Sequence, residues 1–309
     1  MSNLPVYLVE FLDNNNYLFK EILQYNERKK VYVLKIEKNN KYFIFKTYDK
    51  NQAIKDIKNK FDIEKDFYQK DIDLLPDLVY CEDNIMILEY IDSISLRDVL
   101  VQNILNKQVL NNLLNAIELF KNKIKSNNQD SISNFDNIFR YIPSLCNSHP
   151  FQAKGIRINI VDRFLNKLIT KILIYKTKNL INHISIDKLT KGFSHMDFHY
   201  NNILVGKSNK IKFIDFENIR YSGFFEFDIL FLIVLIEVYV KSDSEEGKII
   251  KRYLNSIFEQ NNDLEKIYNI YKTAISINKK FYVDSCSKPL NILQKIVLII
   301  KEVFNATSY

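Results

Sequence analysis

The stretch "FSHMDFHYNNIL" at residues 193–204, together with "IKFIDFENI" at 211–219, decides the fold of this 309-residue chain. Apolar runs that read as strands flank "GKSNK", whose Gly, Ser and Asn are typical of a hairpin turn. Such a hairpin would make Asn202 and Asp215 neighbours, and Asp197 lies five residues before Asn202 in the loop that feeds it. We therefore expect a carboxylate, an amide and a second carboxylate to converge on one spot.

This group of side chains matches the needs of phosphoryl transfer. Amide and carboxylate oxygens suit Mg²⁺, which takes one or two carboxylates from a protein and completes its shell with water and phosphate oxygens. The remaining carboxylate, Asp197, is then available to accept a hydrogen bond from an attacking hydroxyl. The sequence predicts metal ligands on a rigid hairpin beside a carboxylate that faces the nucleophile.

The two stretches also carry a family resemblance. "HMDFHYNN" fits the H-x-D-x-x-x-x-N pattern of a kinase catalytic loop, and "IDFE" stands where protein kinases have Asp-Phe-Gly. The residue after His195 is not Arg, and the short spacing to "FEFDIL" leaves no room for an activation loop. The chain therefore resembles the aminoglycoside phosphotransferase and choline kinase superfamily, over roughly residues 20–100 and 185–240.

The resemblance implies a role for each residue of the motif. Asp197 would be the catalytic base, and His195 would brace the catalytic loop. Asn202 and Asp215 would be the Mg²⁺ ligands. Asp228 would anchor the loop by accepting hydrogen bonds from its backbone.

In the amino-terminal part, the resemblance implies a nucleotide site for ATP or GTP. Lys46 in "YFIFKTY" would pair with the α and β phosphates, and Glu64 in "FDIEKDF" would hold that lysine. The backbone of the hinge residues Glu89, Tyr90 and Ile91 would meet the nucleobase.

Some assignments leave alternatives open. Asn201 competes with its neighbour as metal ligand, although the spacing favours position 202. His199 is either a substrate contact or a partly exposed structural residue. Asp62 and Asp66 lie near Glu64 on the same predicted helix.

The order of predicted elements indicates an α+β protein with a two-lobe, protein-kinase-like fold. Two strands joined by "KNNK" are predicted within 30–48, then a helix over about 52–70, then a second strand pair, with a further strand possible before residue 25. From about residue 95 the apolar spacing is helical. We expect a nucleotide-binding lobe at 1–91 and a helical lobe at 92–309 with the catalytic loop, metal site and acceptor site.

Composition excludes several classes of protein. The chain is 47% hydrophobic and 26% charged, as in globular proteins, and its three scattered cysteines argue against a disulfide framework or structural zinc. The amino terminus lacks a signal-peptide pattern, and "ILFLIVLI" at 229–236 is too short to cross a bilayer, so it predicts a buried helix. We expect a cytoplasmic protein without a membrane span; the oligomeric state is not predicted.

The net charge of +7 does not by itself predict a polyanion partner. Lysines are spread along the whole chain rather than gathered in one patch, so we expect solvated faces and no nucleic-acid partner.

Two features bear on activity and on the acceptor. The predicted phosphate loop, "QYNERKKV" at 24–31, has no glycine, so Lys29, Lys30 or Asn26 would have to compensate. A pseudokinase that binds nucleotide without turnover is therefore the alternative function.

The acceptor is expected to be a small molecule with a hydroxyl: an amino alcohol such as choline or ethanolamine, or a sugar, ahead of an aminoglycoside. An aromatic cage for an amino alcohol could come from the following residues, although a run of aromatics is more often part of the core: Tyr221, Phe224, Phe225, Glu226 and Tyr239.

Overall fold

A computed structural model describes most of the chain, namely residues 4–27, 30–49, 55–70, 72–125, 135–147, 160–185, 189–191, 193–221, 223–282 and 292–305. The chain divides into two compact units. The first unit comprises Met1–Asp98 and Asn201–Ile219, and the second comprises Val99–Tyr200 and Arg220–Tyr309. The fold class is α+β, as predicted: a five-stranded antiparallel sheet in the first unit and a largely helical second unit.

The described strands form two antiparallel sheets. The strands are β1 Leu18–Asn26, β2 Val31–Lys38, β3 Lys41–Tyr48, β4 Leu78–Glu82, β5 Ile85–Glu89, β6 Ser93–Ser95, β7 Ile203–Gly206 and β8 Ile211–Phe213. The five-stranded sheet has the order β1-β2-β3-β5-β4, and the three-stranded sheet has the order β6-β7-β8.

The described helices lie mostly in the second unit. They are α1 Val6–Asn14, α2 Lys55–Tyr68, α3 Leu96–Val101, α4 Lys107–Lys125, α5 Asp136–Asn147, α6 Ile160–Ile181, α7 Phe225–Glu237, α8 Glu245–Gln260, α9 Asp263–Tyr282 and α10 Ile292–Asn305. The apolar run at 229–236 lies within α7, whose side chains from 225 to 236 are all buried, as predicted for a core helix. Among the helices that the structure describes, none combines the length and apolar character needed to cross a membrane.

The pairing of β2 with β3 places Lys46. The two strands are joined by Asn39 and Asn40, whose φ angles of 53° and 59° suit a tight hairpin turn. Leu34 and Phe45 point to the face where α1 packs, in a buried cluster with Leu8 and Leu12 of that helix. Because side chains alternate along a strand, Lys46 points to the opposite face of the sheet.

The predicted hairpin of β7 and β8 is present and is tied to the rest of the first unit. Ile203 pairs with Phe213, and the turn between the strands contains residues of positive φ. The Phe213 amide donates to the Leu74 carbonyl at 2.8 Å, and the Lys212 ammonium donates to the Leu75 carbonyl at 2.6 Å. The hairpin is therefore a rigid mount for the residues at its ends.

A close backbone approach precedes the catalytic loop in the second unit. The Ser194 amide donates to the Arg220 carbonyl at 2.8 Å, and the Arg220 amide donates back at 2.9 Å. A Cβ atom on Gly223 would lie 2.3 Å from the Cβ atom of Ser194. Glycine is therefore required at 223 to let the two segments pair.

Replacing that glycine should distort the segment that carries Ser194. We expect Gly223→Ala to lower the free energy of unfolding by about 1–3 kcal/mol, the usual cost of overpacking. The matched control is Gly206→Ala, whose Cβ atom would meet its nearest neighbours at 3.6 Å and should change stability by less than about 0.5 kcal/mol. Urea unfolding of both variants checks this, and equal midpoints would contradict it.

Candidate active site

Lys46 lies at the centre of a cluster of carboxylates in the first unit. Its ammonium pairs with Glu64 of α2 and lies 3.7 Å from Asp215 and 3.9 Å from Glu217, which both follow β8. The structure thus brings together three residues that the sequence singles out, Lys46, Glu64 and Asp215, although they come from distant parts of the chain.

The acid of α2 that meets the lysine is Glu64. Its side chain is buried, whereas Asp62 is half-buried and Asp66 is exposed. Burial raises the pKa of Glu64 to about 7, and Lys46 opposes the rise. Burial also acts to lower the pKa of Lys46, but the neighbouring carboxylates outweigh it, so this pKa lies above its ordinary value and the ammonium stays charged.

Glu217 is a member of the cluster that sequence reasoning missed. The available signal was its position as the final letter of "DFE", two residues after Asp215. The intervening Phe216 is fully buried and stacks on Phe67 of α2, with ring centres 4.4 Å apart. This contact fixes the tripeptide against the helix that also carries Glu64.

The hairpin holds Asn202 next to this cluster. The Ile214 amide donates to the Asn202 carbonyl at 3.0 Å, so Asp215 directly follows the residue opposite Asn202. Asn202 is buried, whereas Asn201 is exposed. The structure thus places both predicted metal ligands at the same end of the hairpin.

The donor set fits a divalent cation. One carboxylate oxygen each from Glu64, Asp215 and Glu217 lie within 4.8 Å of one another. Among the described residues, three carboxyl groups lie within 4 Å of the Lys46 ammonium, so hard oxygen donors outnumber this cation. Mg²⁺ prefers such oxygen ligands.

The predicted hinge borders a cavity within the first unit. Glu89 ends β5, and Tyr90 and Ile91 follow it. Glu89 and Tyr90 line a cavity of about 600 Å³ together with Lys35 and Tyr42. The Lys35 ammonium donates to the Tyr90 hydroxyl at 3.3 Å and lies 4.7 Å from the centre of the Tyr42 ring.

The glycine-free loop between β1 and β2 uses a lysine where positive φ is needed. Lys30 has a φ angle of 52°, and its carbonyl accepts a hydrogen bond from the Asp49 amide at 3.0 Å. Asn26 is the last residue of β1, paired with Val31, and is not one of the positive-φ residues. Lys29 lies outside the described residues.

In the second unit, Asp228 anchors the loop that carries Asp197. Its carboxylate, in the first turn of α7, accepts hydrogen bonds from the Ser194 hydroxyl at 3.0 Å and the His195 amide at 3.0 Å. It also accepts from the Met196 amide at 3.3 Å and from the Tyr141 hydroxyl. Burial raises the pKa of Asp228 to about 7, and these donors oppose the rise. The contacts are those that the resemblance implies for this residue.

Asp197 is accessible, whereas His195 is not. The Asp197 side chain is 34% exposed, and its carboxylate lies 3.5 Å from Nε2 of His199. His195 is fully buried, with its ring centre 5.4 Å from that of Phe198. A group buried in this way does not reach a substrate, so bracing of the loop is the role that its position allows.

The expected aromatic cage is wrong for three of its members. Phe224 and Phe225 are fully buried in the core, and Glu226 is buried with them. The Glu226 carboxylate accepts hydrogen bonds from the Thr190 hydroxyl at 2.6 Å and lies 3.1 Å from the Lys121 ammonium. These residues begin a helix that is buried on all sides, so they face its neighbours rather than a ligand.

The raised pKa of Glu64 predicts a pH-dependent stability term. Between the ordinary value of 4.5 and about 7, the folded chain holds a proton on Glu64 that the unfolded chain releases. The contribution of Glu64 to the free energy of unfolding should therefore fall as pH rises through this window.

Urea unfolding of the wild type and of Glu64→Gln from pH 4.5 to 7.5 measures this contribution as a difference. The exposed Asp66→Asn on the same helix is the control, for which we expect no such trend. A wild-type-minus-Glu64→Gln difference that does not change with pH would show that the cluster leaves the ionisation of Glu64 unaltered.

Comparison by sequence gives no match: no family model and no curated protein match the chain. Solved structures match it over nearly its whole length. A thermostable mutant of the aminoglycoside phosphotransferase APH(4)-Ia in its apo form aligns with a TM-score of 0.51 and 11% identity, covering 97% of this chain and 99% of that chain. Spectinomycin phosphotransferase APH(9)-Ia, in complex with ADP and spectinomycin, aligns with a TM-score of 0.52 and 13% identity, covering 98% and 97%.

These identities are too low to carry a substrate from one protein to another, and they bear on the fold alone. The matches extend over both units rather than over a single motif. The chain therefore has the kinase-like fold of the aminoglycoside phosphotransferases, as its two motifs predict.

Proposed function

We propose that the chain is a small-molecule kinase that transfers the γ-phosphoryl group of ATP or GTP to a hydroxyl of a small acceptor. The observation that carries the proposal is the cluster of Lys46 with Glu64, Asp215 and Glu217 in a chain with this fold. A largely buried ammonium beside several carboxyl groups suits a nucleotide phosphate accompanied by a divalent cation.

In this proposal the first unit binds the nucleotide. Lys46 contacts the α and β phosphates, and Glu64 holds its ammonium in place. Asn202 and Asp215 would hold Mg²⁺, and Glu217 offers a further oxygen donor beside Asp215. The ion would supply positive charge to offset that of the nucleotide phosphates. The backbone of Glu89, Tyr90 and Ile91 would bind the nucleobase.

Asp197 acts on the acceptor in the second unit. Its partly exposed carboxylate accepts a hydrogen bond from the acceptor hydroxyl and takes up the proton as the oxygen attacks the γ phosphorus. The bond from that phosphorus to the β-phosphate oxygen breaks, and the nucleoside diphosphate leaves. His195, buried behind the loop, braces it without touching the substrate. Most of the rate enhancement comes from positioning and charge stabilisation, as in other phosphoryl transfers.

The charges of the second unit favour an amino alcohol or a sugar over a polycationic aminoglycoside. Glu226 is buried against Lys121, and Glu237 lies 3.6 Å from Lys272 and accepts a hydrogen bond from the Tyr268 hydroxyl. Two acids that could have bound cationic amino groups are thus neutralised by lysines of the same unit. A polycation needs several unpaired carboxylates, whereas one hydroxyl-bearing amine or sugar does not.

A coupled ADP-release screen over choline, ethanolamine, hexoses, amino acids and aminoglycosides, run with ATP and with GTP, tests the proposal. ADP release that requires one acceptor class supports it. The pseudokinase alternative rests on the loop between β1 and β2, which has no glycine. Nucleotide binding by calorimetry without release on any acceptor would favour that alternative.

Loss of the proposed base should abolish most turnover while nucleotide binding persists. We expect Asp197→Ala to lower kcat on the true acceptor by a factor of about 10²–10⁴, the range for general base catalysis. Asp243→Ala removes an exposed acid of the same unit and should leave kcat unchanged. Near-native turnover by Asp197→Ala would refute this role.

Adjacent asparagines provide a matched test of the metal site. Asn202→Ala should weaken Mg²⁺-dependent nucleotide binding by roughly tenfold or more, whereas binding without Mg²⁺ should change little. Asn201→Ala, at the exposed neighbouring position, should behave like the wild type in both conditions. Calorimetry with and without Mg²⁺ measures the difference, and equal effects of the two substitutions would contradict the assignment of Asn202.

A further inference from the structure

Tyr141, a tyrosine of α5, contacts the backbone amide of the residue that follows Asp197. The Tyr141 hydroxyl donates to the Asp228 carboxylate and accepts a hydrogen bond from the Phe198 amide at 3.4 Å. Asp228 in turn accepts from the Met196 amide. The amides immediately before and after Asp197 are therefore bound by one connected pair of side chains.

The ring of Tyr141 cannot shift easily. It is buried and stacks on Phe231 of α7 with ring centres 4.0 Å apart and planes at 14°. It also meets Tyr271 of α9 edge to face at 6.2 Å. Because aromatic side chains in a close-packed core keep one rotamer, the hydroxyl is held at a fixed point against the loop.

The chemistry of the hydroxyl suits this double contact. Burial raises the pKa of Tyr141 well above its ordinary value, and the adjacent Asp228 raises it further. The group therefore keeps its proton and can donate to the carboxylate while its lone pair accepts from Phe198. A phenylalanine would keep the ring packing and remove both hydrogen bonds.

We propose that Tyr141 is a positioning residue for Asp197, which fixes the peptide between Asp197 and Phe198 and so the direction of the catalytic carboxylate. This inference rests on the proposed kinase function for its effect on turnover. The contacts of Asp228 fix the loop only up to Met196. Tyr141 extends this control past Asp197 to the amide of Phe198.

The neighbouring Tyr271 provides a matched control. It is buried like Tyr141 and shares the contact with Phe231, at 6.5 Å between ring centres. Within the part of the chain that the structure describes, its hydroxyl has no hydrogen-bond partner. Tyr271→Phe therefore removes the same atom from the same core without touching the loop.

The experiment compares Tyr141→Phe with Tyr271→Phe, after the acceptor screen has identified a substrate. Tyr141→Phe should lower kcat by about 10- to 100-fold, because a small misplacement of a catalytic group costs this much, while KM for the nucleotide stays within about twofold. Tyr271→Phe should leave both constants unchanged. Equal kcat values for the two variants would overturn the proposal.

A second readout needs no acceptor. Hydrogen exchange of the Phe198 amide should become faster in Tyr141→Phe and stay unchanged in Tyr271→Phe, and both variants should melt cooperatively because ring packing is kept. If the wild type transfers no phosphate, the kinase function fails, and the exchange result decides on Tyr141 alone. Unchanged exchange at Phe198 overturns its positioning role, and faster exchange supports it.

Discussion

The buried carboxylate of Asp228 is the constraint on which the geometry of the proposed catalytic loop depends. A charge without partners in an apolar core costs many kcal/mol, so the group is tolerated only with its hydrogen bonds made. Its partners are the hydroxyls of Tyr141 and Ser194 and the amides of His195 and Met196. The loop adopts a shape that satisfies this carboxylate, and the Asp197 side chain remains partly exposed.

The first unit also contains a largely buried charge that needs partners, here the positive charge of Lys46. The largely buried ammonium of Lys46 pairs with Glu64, but the chain places two further carboxylates beside it. A structure optimised for stability alone would not bring together three acids around one lysine, because they repel one another. The stacking of Phe216 on Phe67 of α2 holds Asp215 and Glu217 in this cluster, which agrees with the proposed site for a cation and phosphates.

Sequence reasoning predicted the parts of the fold and site that depend on short-range chemistry. The β7–β8 hairpin follows from its turn residues, and the meeting of Asn202 with the residue before Asp215 follows from the hairpin. Tyr141 could not be found in this way, because 87 positions separate it from Asp228 and no local pattern marks it. For the run at 224–226 the sequence left both a ligand cage and the core open, since a local aromatic pattern does not show which side faces the core, and the structure places these residues in the core.

Because the chain has only five glycines, other residues adopt positive φ angles in the loops of the proposed site. Positive φ outside glycine falls mostly on Asn and Asp, whose short polar side chains tolerate it. Ser208, Met196 and Lys30 are exceptions, and the last two lie in the proposed catalytic and phosphate loops. A left-handed conformation costs such a residue about 1–2 kcal/mol, so it persists only where other contacts enforce it. At Met196 these contacts include the hydrogen bonds from its amide to Asp228 and to the Ser194 hydroxyl. The conformation next to Asp197 is thus imposed by the core of the second unit and not by the preferences of the loop sequence.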